Sequence, residues 1–105
     1  MIKSISEELE EYGITGVAQS NARVAIRAYV FNSNLNEDQR RTRAQEVIQA
    51  IEKFQNKKVL VTSNNRAARV LYICPMQGSV KAYIRWFCQR GGAFKFISEL
   101  EVIPE

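Results

Sequence analysis

The sequence predicts a small α+β fold: a mainly antiparallel sheet of about five strands, one long amphipathic helix and a short N-terminal helix. Three observations lead there. A capped run over residues 36–54 repeats its apolar residues at helical spacing. From Lys58 onward, β-branched and aromatic runs alternate with turn residues. The chain is 105 residues long, with 46% hydrophobic and 25% charged residues, which suits one folded unit over residues 1–105 with a core of its own.

The first element is a short helix over residues 4–12. Ser4-Ile5-Ser6-Glu7 reads as a capping box, Ile5, Leu9 and Tyr12 share a helical face, and Gly13 supplies a left-handed stop. Residues 23–31 then alternate. Val24, Ile26, Ala28 and Val30 fall on one side, and Arg23, Arg27, Tyr29 and Phe31 on the other, which predicts a strand. A rival reading takes Gly16 to Asn21 as the turn and start of a recognition helix in a helix-turn-helix. The β-branched and aromatic content of residues 24–31 favours the strand.

The clearest element is the long helix. Asn36 is a good N-cap, Gln39 completes a capping box, and Glu37 and Asp38 complement the helix dipole. Ala44, Val47, Ile48, Ile51 and Phe54 form its apolar face, and Asn56 ends it. Strands follow at residues 58–63, 68–74, 80–89 and 93–103. They are separated by Asn64-Asn65-Arg66, by Pro75 to Ser79 and by Arg90-Gly91-Gly92.

Hairpin arithmetic sets an expected register. A three-residue loop at residues 90–92 pairs Cys88 with Phe94, Trp86 with Phe96 and Ile84 with Ser98. A two-residue loop mixes charge into both faces, so the buried pattern selects the longer one. A five-residue loop at Pro75 pairs Cys74 with Val80, Tyr72 with Ala82, Val70 with Ile84 and Ala68 with Trp86. One face then holds Ala68, Val70, Tyr72, Cys74, Ile84 and Trp86. The other alternates cations with apolar groups: Arg69, Leu71, Ile73, Lys81, Tyr83, Arg85, Phe87, Lys95 and Ile97. That second face is too apolar for an ordinary wetted surface.

Composition narrows the function classes. There is no histidine, which removes Ser-His-Asp and Cys-His arrangements and the commonest general base. No catalytic residue is assigned, and the chain is read as a non-enzymatic binding protein. Cys74 and Cys88 are too few for a zinc site, are expected as small buried hydrophobes, and lie too far apart along the strands to bridge. No metal or cofactor is expected. No apolar run approaches the ~20 residues of a membrane span, and the N-terminal residues show no secretory signal. The expected location is the cytoplasm, with no membrane partner.

Charge distribution points to an anionic partner. From Lys53 to Ser98 there are nine basic residues and no acidic one, whereas Glu7, Glu8, Glu10, Glu11, Glu99, Glu101 and Glu105 crowd the ends. Pairing between acidic ends and a basic middle is the plainer account of the same pattern. Arg23, Arg27, Tyr29, Arg66, Arg69, Lys81, Tyr83, Arg85, Phe87 and Lys95 form the expected binding face. Aromatic rings interleaved with cations suit single-stranded nucleic acid, whose bases stack and whose phosphates pair. The stretch Lys81 to Phe87 does not match the RNA-recognition-motif consensus. The alternative is a protein-interaction module, an inhibitor, adaptor or homo-oligomeric subunit, that presents the same face to an acidic protein surface or to a second copy. A small-ligand site at Gly91-Gly92 or a cation site at the glutamates is weaker, since a hairpin turn and a helix dipole explain those residues.

Overall fold

A computed structural model describes residues 4–17 and 19–104. The turn position Ala18, the start of the chain at residues 1–3 and the charge of Glu105 lie outside the described residues. Three helices precede five strands: α1 (Ile5–Glu11), α2 (Ser20–Val30), α3 (Glu37–Phe54), β1 (Lys58–Val61), β2 (Arg66–Ile73), β3 (Lys81–Trp86), β4 (Gly92–Phe96) and β5 (Leu100–Val102). The strands form one antiparallel sheet in the order β4-β3-β2-β1-β5.

α1 and α3 start and stop where their caps put them. The Ser4 Oγ accepts a hydrogen bond from the Glu7 amide, and Gly13 takes φ +81° after α1. Asn36 and Gln39 form a complete capping box at the start of α3. Past its end, Asn56 adopts φ +63° and donates its amide to the Val70 carbonyl, so the chain that leaves α3 is pinned to β2.

The strand expected over residues 23–31 is instead helix α2. Ala22, Ile26, Tyr29 and Val30 are its buried residues, a spacing of four, three and one that fits a helix face. Both periods were written in this stretch. The helix wins because that face joins a core with α3 and the sheet, and tertiary packing outweighs β propensity. Its start is also silent in sequence, since Gln19 caps it without a side-chain hydrogen bond. The helix-turn-helix reading fails in a different way. The connection between α1 and α2 spans residues 12–19, longer than the three or four residues of that motif.

The expected last strand, residues 93–103, is two strands. A 3-10 turn at Ile97–Glu99 separates β4 from β5, and the two lie on opposite edges of the sheet. β5 pairs with β1, Val61 opposite Leu100 and Val59 opposite Val102. The strand count near five therefore survives with different members: the lost strand at 23–31 is replaced by β5.

Helices α1, α2 and α3 stack in sequence, and α3 lies along β2. One face of the sheet packs beneath them through Val59, Val61, Ala68, Val70, Ile73, Ala82 and Ile84. The other faces away. None of its residues on β1 to β4 is buried.

Candidate functional site

Register decides which side chains share the outer face. On β2 and β3, Ala68 pairs with Trp86 and Val70 with Ile84 as expected, but Tyr72 pairs with Tyr83 and Ile73 with Ala82 after an irregularity between Val70 and Tyr72. The cause lies at the hairpin end. Gln77 and Gly78 both have positive φ, +54° and +77°, and Met76 and Ser79 exchange two backbone hydrogen bonds around them. That is a two-residue turn of the kind hairpins prefer, not a five-residue loop. Its register is one residue out of step with the Val70–Ile84 pair, and a bulge at Leu71 absorbs the difference. The bulge exchanges the faces. Tyr72, expected inside, turns outward, and Ile73, expected outside, is in the core.

The β3–β4 hairpin also differs from expectation. Gly91 takes φ +92° and its carbonyl accepts from the Trp86 amide at 3.4 Å, so residues 87–90 form the loop. Tyr83 then pairs with Phe94, Lys81 with Phe96 and Ala82 with Lys95. Phe94 and Phe96, expected in the core, lie on the outer face. Ala93 and Lys95 take the helix side, so Lys95 leaves the candidate site; an inward-leaning charge on an edge strand hinders edge-to-edge pairing. Ile97, expected on the outer face, packs against the core from the 3-10 turn.

The predicted site residues thus divide. Arg69, Lys81, Tyr83, Arg85 and Phe87 come together on the outer face. Arg66 sits at the start of β2 on the parity of buried Ala68 and Val70, where its guanidinium donates to Gln89 at 2.9 Å. Arg23, Arg27 and Tyr29 lie on α2, in the helix layer, because that stretch is not a strand. Arg27 pairs with Glu8 at 2.6 Å, Arg23 donates to Ser6, and Tyr29 donates to Glu46. Burial and that glutamate push the Tyr29 hydroxyl up to about 12. Arg43 stacks on the Tyr29 ring at 4.6 Å. These groups hold helices together.

What the outer face gains is a row of rings. Tyr72 stacks on Tyr83 with centroids 5.2 Å apart, and Tyr83 meets Phe94 at 5.0 Å. The row crosses β2, β3 and β4. Burial leads the causes that raise the Tyr72 hydroxyl above its ordinary value. Gly92 makes room for the row: a Cβ there would lie 2.8 Å from the Tyr83 ring and 2.3 Å from the Ile84 carbonyl. A ring laid over a cross-strand glycine is a known device in sheets. Phe87, Phe94 and Phe96 remain 52%, 41% and 43% exposed.

Cations flank the rings on both sides. Lys81 lies over Phe96 at 4.5 Å. Lys58, Arg69 and Arg85 fall in a second row across β1, β2 and β3, set by the pairs Lys58–Arg69 and Arg69–Arg85. Like charges facing each other across strands cost stability. Lys58 and Arg69 approach the Phe87 ring at 5.5 and 5.7 Å, and Arg69 donates to the Asn56 carbonyl at 2.7 Å. Acid enters this face at Glu101, opposite Leu60 on the distant edge strand. Sequence reasoning missed Lys58, Tyr72, Phe94 and Phe96. The turn chemistry of Gln77-Gly78 was the readable signal for Tyr72; for the phenylalanines it was a loop one residue longer.

The cysteines, both expected to be buried, divide. Both cysteines are free, Cys74 buried and Cys88 exposed. Cys88 escapes burial because it lies past the end of β3, in the loop, and burial raises the Cys74 thiol above its usual value. Among the described residues, no helix is long and apolar enough to cross a membrane. No family model, curated protein or solved structure matches the chain.

Proposed function

We propose that this protein binds single-stranded nucleic acid, without catalysis, on the outer face of its sheet. The observation that carries the reading is the outward row of half-buried Tyr72 and Tyr83 with exposed Phe94, flanked by Lys81 on one side and by Lys58, Arg69 and Arg85 on the other. Rings offer flat apolar faces on which any base stacks, and cations beside them take the phosphates. The half-exposed phenylalanines leave apolar area in water that a stacked base would cover.

The test is fluorescence anisotropy with labelled oligo(dT) and oligo(U) at about 50 mM and about 200 mM salt, where each neutralised phosphate of a single strand contributes a log–log slope of about −0.7. Binding weakens with salt, and Lys81→Gln and Arg85→Gln each flatten the slope. Phe94→Ala lowers affinity about tenfold, in line with roughly 1–3 kcal/mol per stacked base. Binding that ignores salt, or no binding to either strand, overturns the reading. The protein-interaction reading uses the same rings. Its signature is a dimer by light scattering that Phe94→Asp dissociates.

A further inference from the structure

At the end of β3, where the chain turns into the β3–β4 loop, the outer face deepens into an open cavity of about 550 Å³. Its lining includes Arg69, Leu71, Arg85, Trp86, Phe87 and Arg90, and no acidic residue. The volume lies within the ~300–1,000 Å³ typical of small-ligand sites. We propose that this cavity is a subsite for one nucleotide, its base against Leu71 and Phe87 and its phosphate on Arg85 and Arg90. The inference rests on the outer face being a nucleic-acid surface and deepens that reading, because a cavity holds one splayed nucleotide where the flat ring row takes any run of bases.

Three observations support it. The lining combines an apolar floor with arginine, the residue best matched to phosphate geometry. Phe87, beside Lys58 and Arg69, still leaves half its surface open. The cavity adjoins the cationic row through Arg69 and Arg85, so a strand with phosphates along that row delivers its next nucleotide here.

Two reporters line the cavity. Trp86, the chain's single tryptophan, borders the cavity while its side chain packs against the core, and Cys88 is an exposed thiol, in contrast to buried Cys74. The experiment titrates the full chain with adenosine and uridine monophosphates into the millimolar range, with inorganic phosphate and free uridine as separate arms. Trp86 emission, excited at the red edge of its absorption, and the rate of Cys88 labelling by a disulfide reagent are both read. Saturable emission change and slowed labelling are expected with the monophosphates, and Arg90→Gln, in an exposed loop, weakens both by about fivefold, as for loss of one charge-assisted contact. Unchanged emission and labelling overturn the subsite, and so does an equal response to inorganic phosphate alone. If oligonucleotides bind but mononucleotides do not, the subsite fails and the ring platform stands. If mononucleotides bind and oligonucleotides do not, the platform fails and the subsite stands.

Discussion

The two faces of this sheet are both apolar, yet they are built from different side chains. Beneath the helices, Val59, Val61, Ala68, Val70, Ala82 and Ile84 are each 0% exposed. On the other side lie Tyr72, Tyr83, Phe94, Phe96 and Phe87 with lysine and arginine between them. The covered face uses small and branched aliphatics, which fill the space under helices at close-packed density. The outer face uses planar rings, which leave flat surface open, and long cations, whose stems cover apolar area while their heads stay wet. Both faces carry apolar groups, but the outer one mixes them with cations. They differ in shape as well: branched aliphatics interlock under the helices, and planar rings leave a flat surface open.

The strongest way to break this distinction is to truncate one residue on each face. Ile84→Ala leaves a cavity under the helices and costs about 3 kcal/mol, within the roughly 2–5 kcal/mol of such core truncations. For a chain of this length that lowers Tm by about 15 °C. Phe94, on the neighbouring strand but outward, is expected to cost under about 1 kcal/mol as Phe94→Ala, as a half-exposed side chain leaves little cavity behind. Thermal melts and oligonucleotide titrations on both variants give the crossed result: Ile84→Ala loses stability and keeps affinity, and Phe94→Ala does the reverse. A large melting loss for Phe94→Ala makes the outer rings structural and ends the distinction.

A smaller effect sharpens it from the side of the rings. Gly92→Ala forces a Cβ to within 2.3 Å of the Ile84 carbonyl and 2.8 Å of the Tyr83 ring. β4 has to move off β3 or Tyr83 has to leave its place over the glycine. The expected cost is about 2 kcal/mol, as for other overpacked sites, with loss of affinity beyond what the stability change explains. An affinity unchanged by Gly92→Ala shows that the ring row need not be aligned to bind.

How much of this was legible in sequence follows from where the information is local. α3 was readable to its ends because Asn36, Gln39 and Asn56 each act on neighbouring backbone. The inward positions of Ile84 and Trp86 were readable because period two survives along β3. The faces of β2 past Leu71 were not, because a bulge joins two registers imposed from opposite ends of one hairpin. The same holds for Ile97–Glu99, where the last strand breaks because its two halves pair at opposite edges of the sheet. α2 was misread because its residues satisfy both periods and only the surrounding core chooses between them. The candidate site was therefore legible in Arg69, Lys81, Arg85, Tyr83 and Phe87; Lys58 was missed, and Tyr72, Phe94 and Phe96 were illegible because their facing depends on bulge and loop length.

The helix layer offers the smallest and most selective test, because its polar contacts hold structure where those of the outer face are proposed to hold ligand. Tyr29 donates to Glu46 beneath Arg43, and its hydroxyl is pushed up to about 12, chiefly by burial. A phenol is neutral when protonated, so a raised folded value favours the native state below the unfolded value near 10. That stability is complete below about pH 10 and is lost as pH rises from about 10 to about 12. Tyr29 lies among the buried core residues, and after allowance for water reaching its hydroxyl the loss amounts to about 1.5 kcal/mol, at 1.36 kcal/mol per unit. Tyr29→Phe keeps the ring under Arg43 and removes the titrating group. Urea unfolding of both proteins at pH 9 and pH 11.5 is expected to show a steeper decline in the wild type, by about that amount, while oligonucleotide affinity at neutral pH stays the same in both. Equal declines would detach Tyr29 from the alkaline transition, and a drop in affinity for Tyr29→Phe would move part of the binding surface to the helix layer.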